Sequence, residues 1–352
     1  MPQSTRPGAR RVTITDVAKA ANVSAATVSL ALNGSPRISE VTRQRVERCA
    51  QSLRYQPNHA AASLRKQTAR TIALAVPDIG NPVYIEIART VQQVTRQHGY
   101  HLHLISTESQ PSEEAHALRT LAQRSVDGLI MISLRGASAL DSSLREVSGP
   151  VVIIGHLQDV ICDNVTVDSA AGAALAIAHL WSVGCSQLAF VNGAAGTWPS
   201  SERERGVLSA LRAADRTIPP SLRAEEDFTL DGGYRAAQRL LAHDVHFDGL
   251  LCANDLMAIG AMRSLREHGL QVPGDIAVIG MDDIRECQVT TPPLSSVSLM
   301  AGERGRLAAQ LMFDRLGGEV DTPPRQLTVS PVLIARGSTA PPRQALEVGV
   351  NA

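Results

Sequence analysis

Beyond residue 70, side chains with ligand-binding chemistry recur just after short apolar runs. Asp78 and Asn81 follow TIALAV (71–76), Ser106 ends LHLIS (102–106), and His156 follows VVIIG (151–155). Asn254 and Asp255 follow GLLCA (249–253), and Asp282 and Asp283 follow IAVIG (276–280). Tyr84, Trp198 and Phe228 add flat rings from loops, in a chain that has only ten aromatic residues. A cleft holding carboxylates, amides, an arginine and a few rings suits a polyhydroxylated ligand such as a sugar. Taken singly, each of these residues has a competing role as a helix cap or loop hydrogen-bonder. Asp255 and Asp283 in particular could cap the segments that follow them.

Other chemistries find less support. No GxGxxG, GxxxxGK[ST] or GxSxG motif is present, so dinucleotide, P-loop and α/β-hydrolase chemistry lack their signatures. The ten histidines form no HxxxH or HExxH pair, and the five cysteines never fall in CxxC spacing. No metal site or cofactor is expected. Scattered cysteines, odd in number, fit reduced thiols in the cytoplasm better than a disulfide frame. The first ten residues are basic and polar without a following apolar stretch, and no apolar run approaches a membrane span.

The elements that must position these groups follow from periodicity. GLIMIS (128–133) and LAFVN (188–192) join the five runs above as strand candidates, and helix-length amphipathic segments lie between them, near 83–98, 112–124, 169–183, 201–214, 233–243, 255–268 and 302–316. Repeated β-α units imply parallel sheets covered on both faces, with ligands bound at the carboxyl ends of the strands. So many units suit two lobes rather than one.

The first seventy residues have a different texture. They carry twelve Lys and Arg against three Asp and Glu, a net charge of +9, which leaves −9 on the remainder. A basic module on an acidic body is the footprint of a polyanion binder. Thr15 can cap a helix over 16–21 that Asn22 breaks, and Ser24 can cap a second over 25–32 that Asn33 and Gly34 end. Ser39 can cap a third over 40–53. The short link between the first two helices is that of a helix-turn-helix. Val28 points inward with Ala31 and Leu32, while Ala26, Ser29, Leu30 and Asn33 face outward with Ala25 at the leading edge. In a major groove, Ala25, Ala26 and Leu30 would read thymine methyls and shape more than hydrogen-bonding edges.

The stretches TITDVAKAANVSAATVSLALNG (13–34) and RISEVTRQRVERCAQSLRYQPN (37–58) resemble the DNA-binding head of the lactose/galactose repressor (LacI-type) family. The resemblance extends to about residue 338 through PDIGNPVYIEIARTV, SSERERGVLSAL, CANDLMAIGAMRSL and VIGMDDIRECQVTTPPLSSV. It implies an all-α helix-turn-helix head and an α/β two-lobed, periplasmic-binding-protein-like sensor with two parallel sheets. By the same resemblance, Thr15, Ser24, Thr27 and Asn33 hold phosphates of double-stranded DNA, and Ala25, Ala26, Ser29 and Leu30 face bases. Asn58–Leu64 would be a hinge helix too short to be stable alone, folding when Leu64 wedges into the minor groove beside the basic Arg65. Effector contacts would be Asn81, Val83, Tyr84, Ser106, Arg203, Phe228, Asn254 and Asp282, with His156 close by. Leu30 stands where the family often has arginine, Val83 where it often has an aromatic, and Gly155-His156 where it often has Asp-Arg. The last two departures point away from a plain hexose or pentose.

The implied domains are a tail (1–10), head (11–57), hinge (58–69), sensor (70–338) and second tail (339–352). Within the sensor the N-lobe would take 70–168 and 300–327, and the C-lobe 169–296 and 328–338. The lobe crossings would fall near 168–170, 296–300 and 327–329. The second tail lacks a leucine heptad, so a homodimer on a near-palindromic operator is expected rather than a coiled-coil tetramer. The expected function is a regulator, most simply a repressor, under small-molecule control. A regulator of the same fold that answers a protein co-repressor or a non-sugar metabolite is the alternative. A doubly wound enzyme is the remote one.

Overall fold

The computed structural model describes residues 12–32, 34–55, 68–135, 144–145, 147–157, 161–243, 245–318 and 322–339. The chain folds as two compact units, Met1–Ala69 and Arg70–Ala352.

The first unit holds α1 (Ile14–Ala21), α2 (Ala25–Leu32) and α3 (Glu40–Ser52). Thr13, not Thr15, precedes the first turn. Its backbone N–H and hydroxyl both donate to the Asp16 carboxylate at 2.8 Å, so α1 starts two residues earlier than the sequence suggests. Asn22 takes the left-handed conformation that ends α1. The Ser24 hydroxyl accepts from the Thr27 N–H at 3.0 Å and opens α2, and Ser39 does the same for α3 through Thr42. Val17, Ala18, Ala21, Val28, Ala31, Val46 and Ala50 are buried between the three helices. The alanines let the helices approach closely, and Ile14, Leu32, Cys49 and Leu53 close the rim.

The second unit contains two six-stranded sheets. The N-lobe sheet has the order β11-β5-β4-β3-β1-β2, all parallel, from β1 (Thr71–Val76), β2 (His101–Ser106), β3 (Gly128–Ile132), β4 (Val151–Ile154), β5 (Asp163–Val167) and β11 (Gln326–Val329). Along β1, Ile72, Leu74 and Val76 face one apolar layer while Ala73 and Ala75 face another, so an unbroken apolar run covers both sides. Helices α4 (Pro82–Gln97), α5 (Pro111–Ala122) and α10 (Ala301–Leu316) cover this sheet.

The C-lobe sheet has the order β12-β10-β9-β8-β6-β7, from β6 (Leu188–Asn192), β7 (Arg223–Glu225), β8 (Gly249–Cys252), β9 (Ala277–Met281), β10 (Ser295–Ser298) and β12 (Val332–Ile334). Its helices are α6 (Ser169–Ser182), α7 (Trp198–Ala213), α8 (Leu230–Leu241) and α9 (Asp255–Glu267). This sheet is not wholly parallel: the edge strand β12 runs antiparallel to β10, because the chain re-enters the lobe from β11 only a few residues away.

The chain passes between sheets after β5, between β10 and α10, and between β11 and β12. The third passage falls at 330–331, later than the expected 327–329, because Gln326–Val329 still pair with β5 in the N-lobe.

Candidate effector cleft and nucleic-acid interface

Residues from the carboxyl ends of both sheets enclose a cavity of about 80 Å³. Asn81, Val83, Tyr84, His156, Arg203, Phe228, Asn254 and Asp282 all line it. Ser106 does not; it ends β2, the edge strand of the N-lobe sheet.

The two amides have structural work as well. Asn81 caps α4 by accepting from the Val83 N–H at 3.1 Å. Asn254 caps α9 by accepting from the Met257 N–H at 2.9 Å, and its amide donates to the Phe228 carbonyl at 3.1 Å. Both hold the strand-to-helix turns whose far side is the cavity wall.

Arg203 and Asp282 are different. The Arg203 guanidinium lies 3.7 Å from the Asp282 carboxylate, with both side chains buried. That is ion-pair range but too long for a hydrogen bond, and the Arg203 Nε has no partner. The guanidinium also sits over the Phe228 ring, 5.5 Å from its centroid. Asp282 has φ 115, a conformation costly for a residue with a Cβ, and its neighbour Asp283 has φ 59. Asp283 is held by Arg336 at 2.6 Å, outside the cavity. Burial pushes the Asp282 carboxyl above its ordinary range, and Arg203 and Arg304 oppose that rise. Burial also raises the Tyr84 phenol, with the Asp282 charge adding to it. An under-bonded buried donor and acceptor are what a ligand hydroxyl can satisfy.

The lobes meet directly across the cavity. The His156 and Trp198 rings stack at 3.7 Å and 2° from parallel, one from each lobe. The backbone N–H of Trp198 donates to the Leu134 carbonyl at 2.8 Å. Gly155 has φ 150, and a Cβ there would press on the Ser133 carbonyl oxygen at 2.9 Å, so glycine lets the end of β4 turn towards His156.

In the head, Thr15 and Ala26 are exposed, Leu30 is 42% exposed, and Thr27, Ala25 and Ser29 are half-buried. Ser24 is exposed, and its hydroxyl is occupied as the α2 cap, within 2.9 Å of the Thr27 hydroxyl. Ala25 packs partly on the head core, so Ala26 and Leu30 present most of the apolar outer face. Asn33, Asn58, Leu64 and Arg65 lie outside the described residues.

Residues 13–58 match the family model for bacterial regulatory proteins of the lacI family, and residues 177–339 match that for the periplasmic binding protein-like domain. The HTH-type transcriptional regulator DegA of Bacillus subtilis is 31% identical over 339 residues, spanning 94% of this chain and 99% of the relative. The ribose operon repressor of Escherichia coli K12 is 32% identical over 332 residues, spanning 93% and 99%. The chain belongs to the LacI family. A solved complex of the transcriptional regulator CelR with cellobiose has a TM-score of 0.71 at 31% identity, covering 93% of this chain and all of that one. This LacI-family member is thus a DNA-binding transcriptional regulator, with a helix-turn-helix head and a two-lobed α/β sensor. Among its described residues no helix is long and apolar enough to cross a membrane.

Sequence reasoning missed Ser133, Thr166, Ser169 and Arg304 in the cavity wall. Thr166 and Ser169 lie in and just after β5, which no apolar run announces, whereas Ser133 follows β3 and could have been found from that strand's end. Arg304 could not, because in AGERGRLAAQ it reads as one more charge on an amphipathic helix.

Proposed function

We propose that this protein is a homodimeric repressor of the cytoplasm, without catalytic activity. Its affinity for a near-palindromic operator is set by a sugar-like molecule bound between the lobes. The observation that carries the reading is the buried Arg203–Asp282 pair, set in a cavity beside aromatic rings with its hydrogen-bonding capacity unused. Hydroxyls donate to the carboxylate and accept from the guanidinium, and Phe228 gives a flat apolar wall. The cellobiose complex of CelR and the ribose operon repressor support a sugar-like ligand.

In the head, Thr15, Ser24, Thr27 and Asn33 are proposed to hold phosphates, and Ala25, Ala26, Ser29 and Leu30 to face bases. Asn58–Leu64 with Arg65 are proposed as the hinge through which lobe closure changes operator affinity. Ligand that favours one lobe arrangement shifts the population towards it, and the operator reads the shift.

Arg203→Ala and Asp282→Ala should each weaken effector binding by about tenfold or more, because each leaves the partner charge buried and unpaired. Operator binding without effector should persist. A gel shift with and without effector checks this. If both variants still release or gain operator as the wild type does, the cleft is not the sensing site, and a protein co-repressor becomes the better reading.

A further inference from the structure

The cavity holds a second guanidinium that the sugar-binding reading does not use. Arg304, from the first turns of α10, reaches the cavity wall, and its Nε is buried without a hydrogen-bond partner. Among the described residues no carboxylate lies within ion-pair distance of it. Asp282 pairs with Arg203 at 3.7 Å and acts on Arg304 only from farther off, and one carboxylate cannot balance both guanidiniums. The cavity therefore carries two cations against one anion.

Neighbouring acids do not change this balance. Asp255, behind Asp282, accepts from the Ser296 hydroxyl at 2.6 Å and the Ile284 N–H at 2.9 Å, and does not line the cavity. Burial holds it mainly neutral at physiological pH. Glu114 accepts from the Ser133 hydroxyl at 3.1 Å, but it stands behind that residue with Arg135 close enough to offset it. Asp78 is exposed and screened by water.

A buried charge without a counter-ion is costly, and the cost is relieved when a ligand brings the missing charge. We propose that the effector carries a carboxylate and that Arg304 selects it, so the cognate ligand is a sugar acid, an aldonate or uronate, rather than a neutral sugar. The excess is one positive charge, which a carboxylate neutralises. A phosphate monoester, at roughly −1.5 to −2, would overshoot it. A guanidinium offers a planar fork of donors that matches a carboxylate edge. The proposal rests on the cleft being the effector site. In it, Arg203 and Asp282 hold hydroxyls and Arg304 takes the acid end.

The test compares acids with their neutral parents on the full chain. D-Gluconate, D-glucuronate and D-galacturonate are set beside D-glucose, D-galactose and glucose 6-phosphate in thermal-shift and calorimetric titrations of wild type and Arg304→Met. At least one acid should raise the melting temperature where its parent does not. Arg304→Met should weaken that acid by about tenfold or more, while the variant still binds operator. Parents binding as well as their acids, phosphate binding in preference to carboxylate, or no acid binding would each overturn the proposal. So would an acid whose affinity Arg304→Met leaves unchanged. If the variant does not fold, the comparison of acid with parent on the wild type decides. Operator retention in the same samples separates this proposal from the one beneath it. A neutral sugar that alters operator affinity keeps the sensing cleft and sinks the acid preference. An acid that binds through Arg304 without altering operator affinity does the reverse.

Discussion

Asp255 illustrates how a side chain that reads as a helix cap can have a different role. It follows a strand and precedes a helix, but Asn254 takes the cap, and Asp255 turns inward to accept from β10 and from the Ile284 N–H. Burial, with the Asp282 charge adding to it, pushes its carboxyl from 3.8 up to about 8. The sign follows from which state holds the proton. Below about pH 4 both folded and unfolded states are protonated and the group costs nothing. From there to about pH 8 the unfolded chain is ionised while the folded one keeps its proton, so stability falls as pH rises, by up to about 1.4 kcal/mol per pH unit. Asp255→Asn should remove that slope. Melting temperatures measured from pH 5 to 7.5 should diverge, with the variant gaining on the wild type towards the alkaline end. Parallel curves would show that Asp255 is ionised when folded.

The same residue scale shows what the sequence could reveal. Polar residues after apolar runs were legible because strand ends mark the cavity in any such sheet. The pairing of His156 with Trp198 was not, since the two rings come from different lobes, 42 residues apart in sequence, and meet only in the folded chain. Arg304 was hidden because its helix has other charges, Glu303 and Arg306, that pair with each other on the outer face.

At the scale of elements, apolar runs located seven of the strands; six are buried along nearly their whole length, covered on both faces, while the edge strand β2 is largely exposed and showed only through its leucines and isoleucine. β5 and β10 escaped notice because they are buried yet polar. Asp163 of β5 is satisfied by Arg315 at 2.7 Å and by the Arg325 N–H at 2.7 Å. In β10, the Ser295 hydroxyl bonds to that of Thr339 at 2.7 Å. Such partners lie 40 or more residues away in sequence, so no local pattern announces them.

Helix crossings give a sharper case. Gly233 of α8 and Gly260 of α9 face one another, and a Cβ on either would overlap backbone of the opposite helix, the Met257 carbonyl or the Leu230 carbonyl. Backbone cannot swing aside, so Gly260→Ala should destabilise the sensor by roughly 1–3 kcal/mol or more. Gly302 of α10 meets nothing nearer than the Thr90 hydroxyl at 3.6 Å. There the usual helix preference for alanine should prevail, and Gly302→Ala should stabilise by roughly 0.4–1 kcal/mol. Thermal unfolding of the two variants should move in opposite directions from the wild type. An unchanged or raised melting temperature for Gly260→Ala would mean that the close crossing of α8 and α9 is not a constraint, and a lowered one for Gly302→Ala that its site is not open.

For the whole molecule, the net charge of zero conceals two oppositely charged parts, +9 over residues 1–70 and −9 over the rest. That division was legible before any element was placed, because it needs only counting. Its consequence is that the two binding events of this regulator should respond differently to salt. Each phosphate neutralised by the head releases counter-ions, so the logarithm of operator affinity should fall linearly with the logarithm of salt concentration, with slope about −0.9 per phosphate contact. With some 6–10 such contacts, raising salt from 50 to 200 mM would lower affinity by roughly a thousandfold or more. The proposed effector site is a cavity between buried charges, where mobile ions screen weakly. Its affinity should change much less over the same range, even for an acidic ligand. Operator titrations by fluorescence anisotropy and effector titrations by calorimetry, at matched salt concentrations, provide the comparison. A shallow operator slope would mean that the basic head is not what holds the DNA. A steep effector slope would mean that the ligand sits on an exposed charged surface rather than between the lobes.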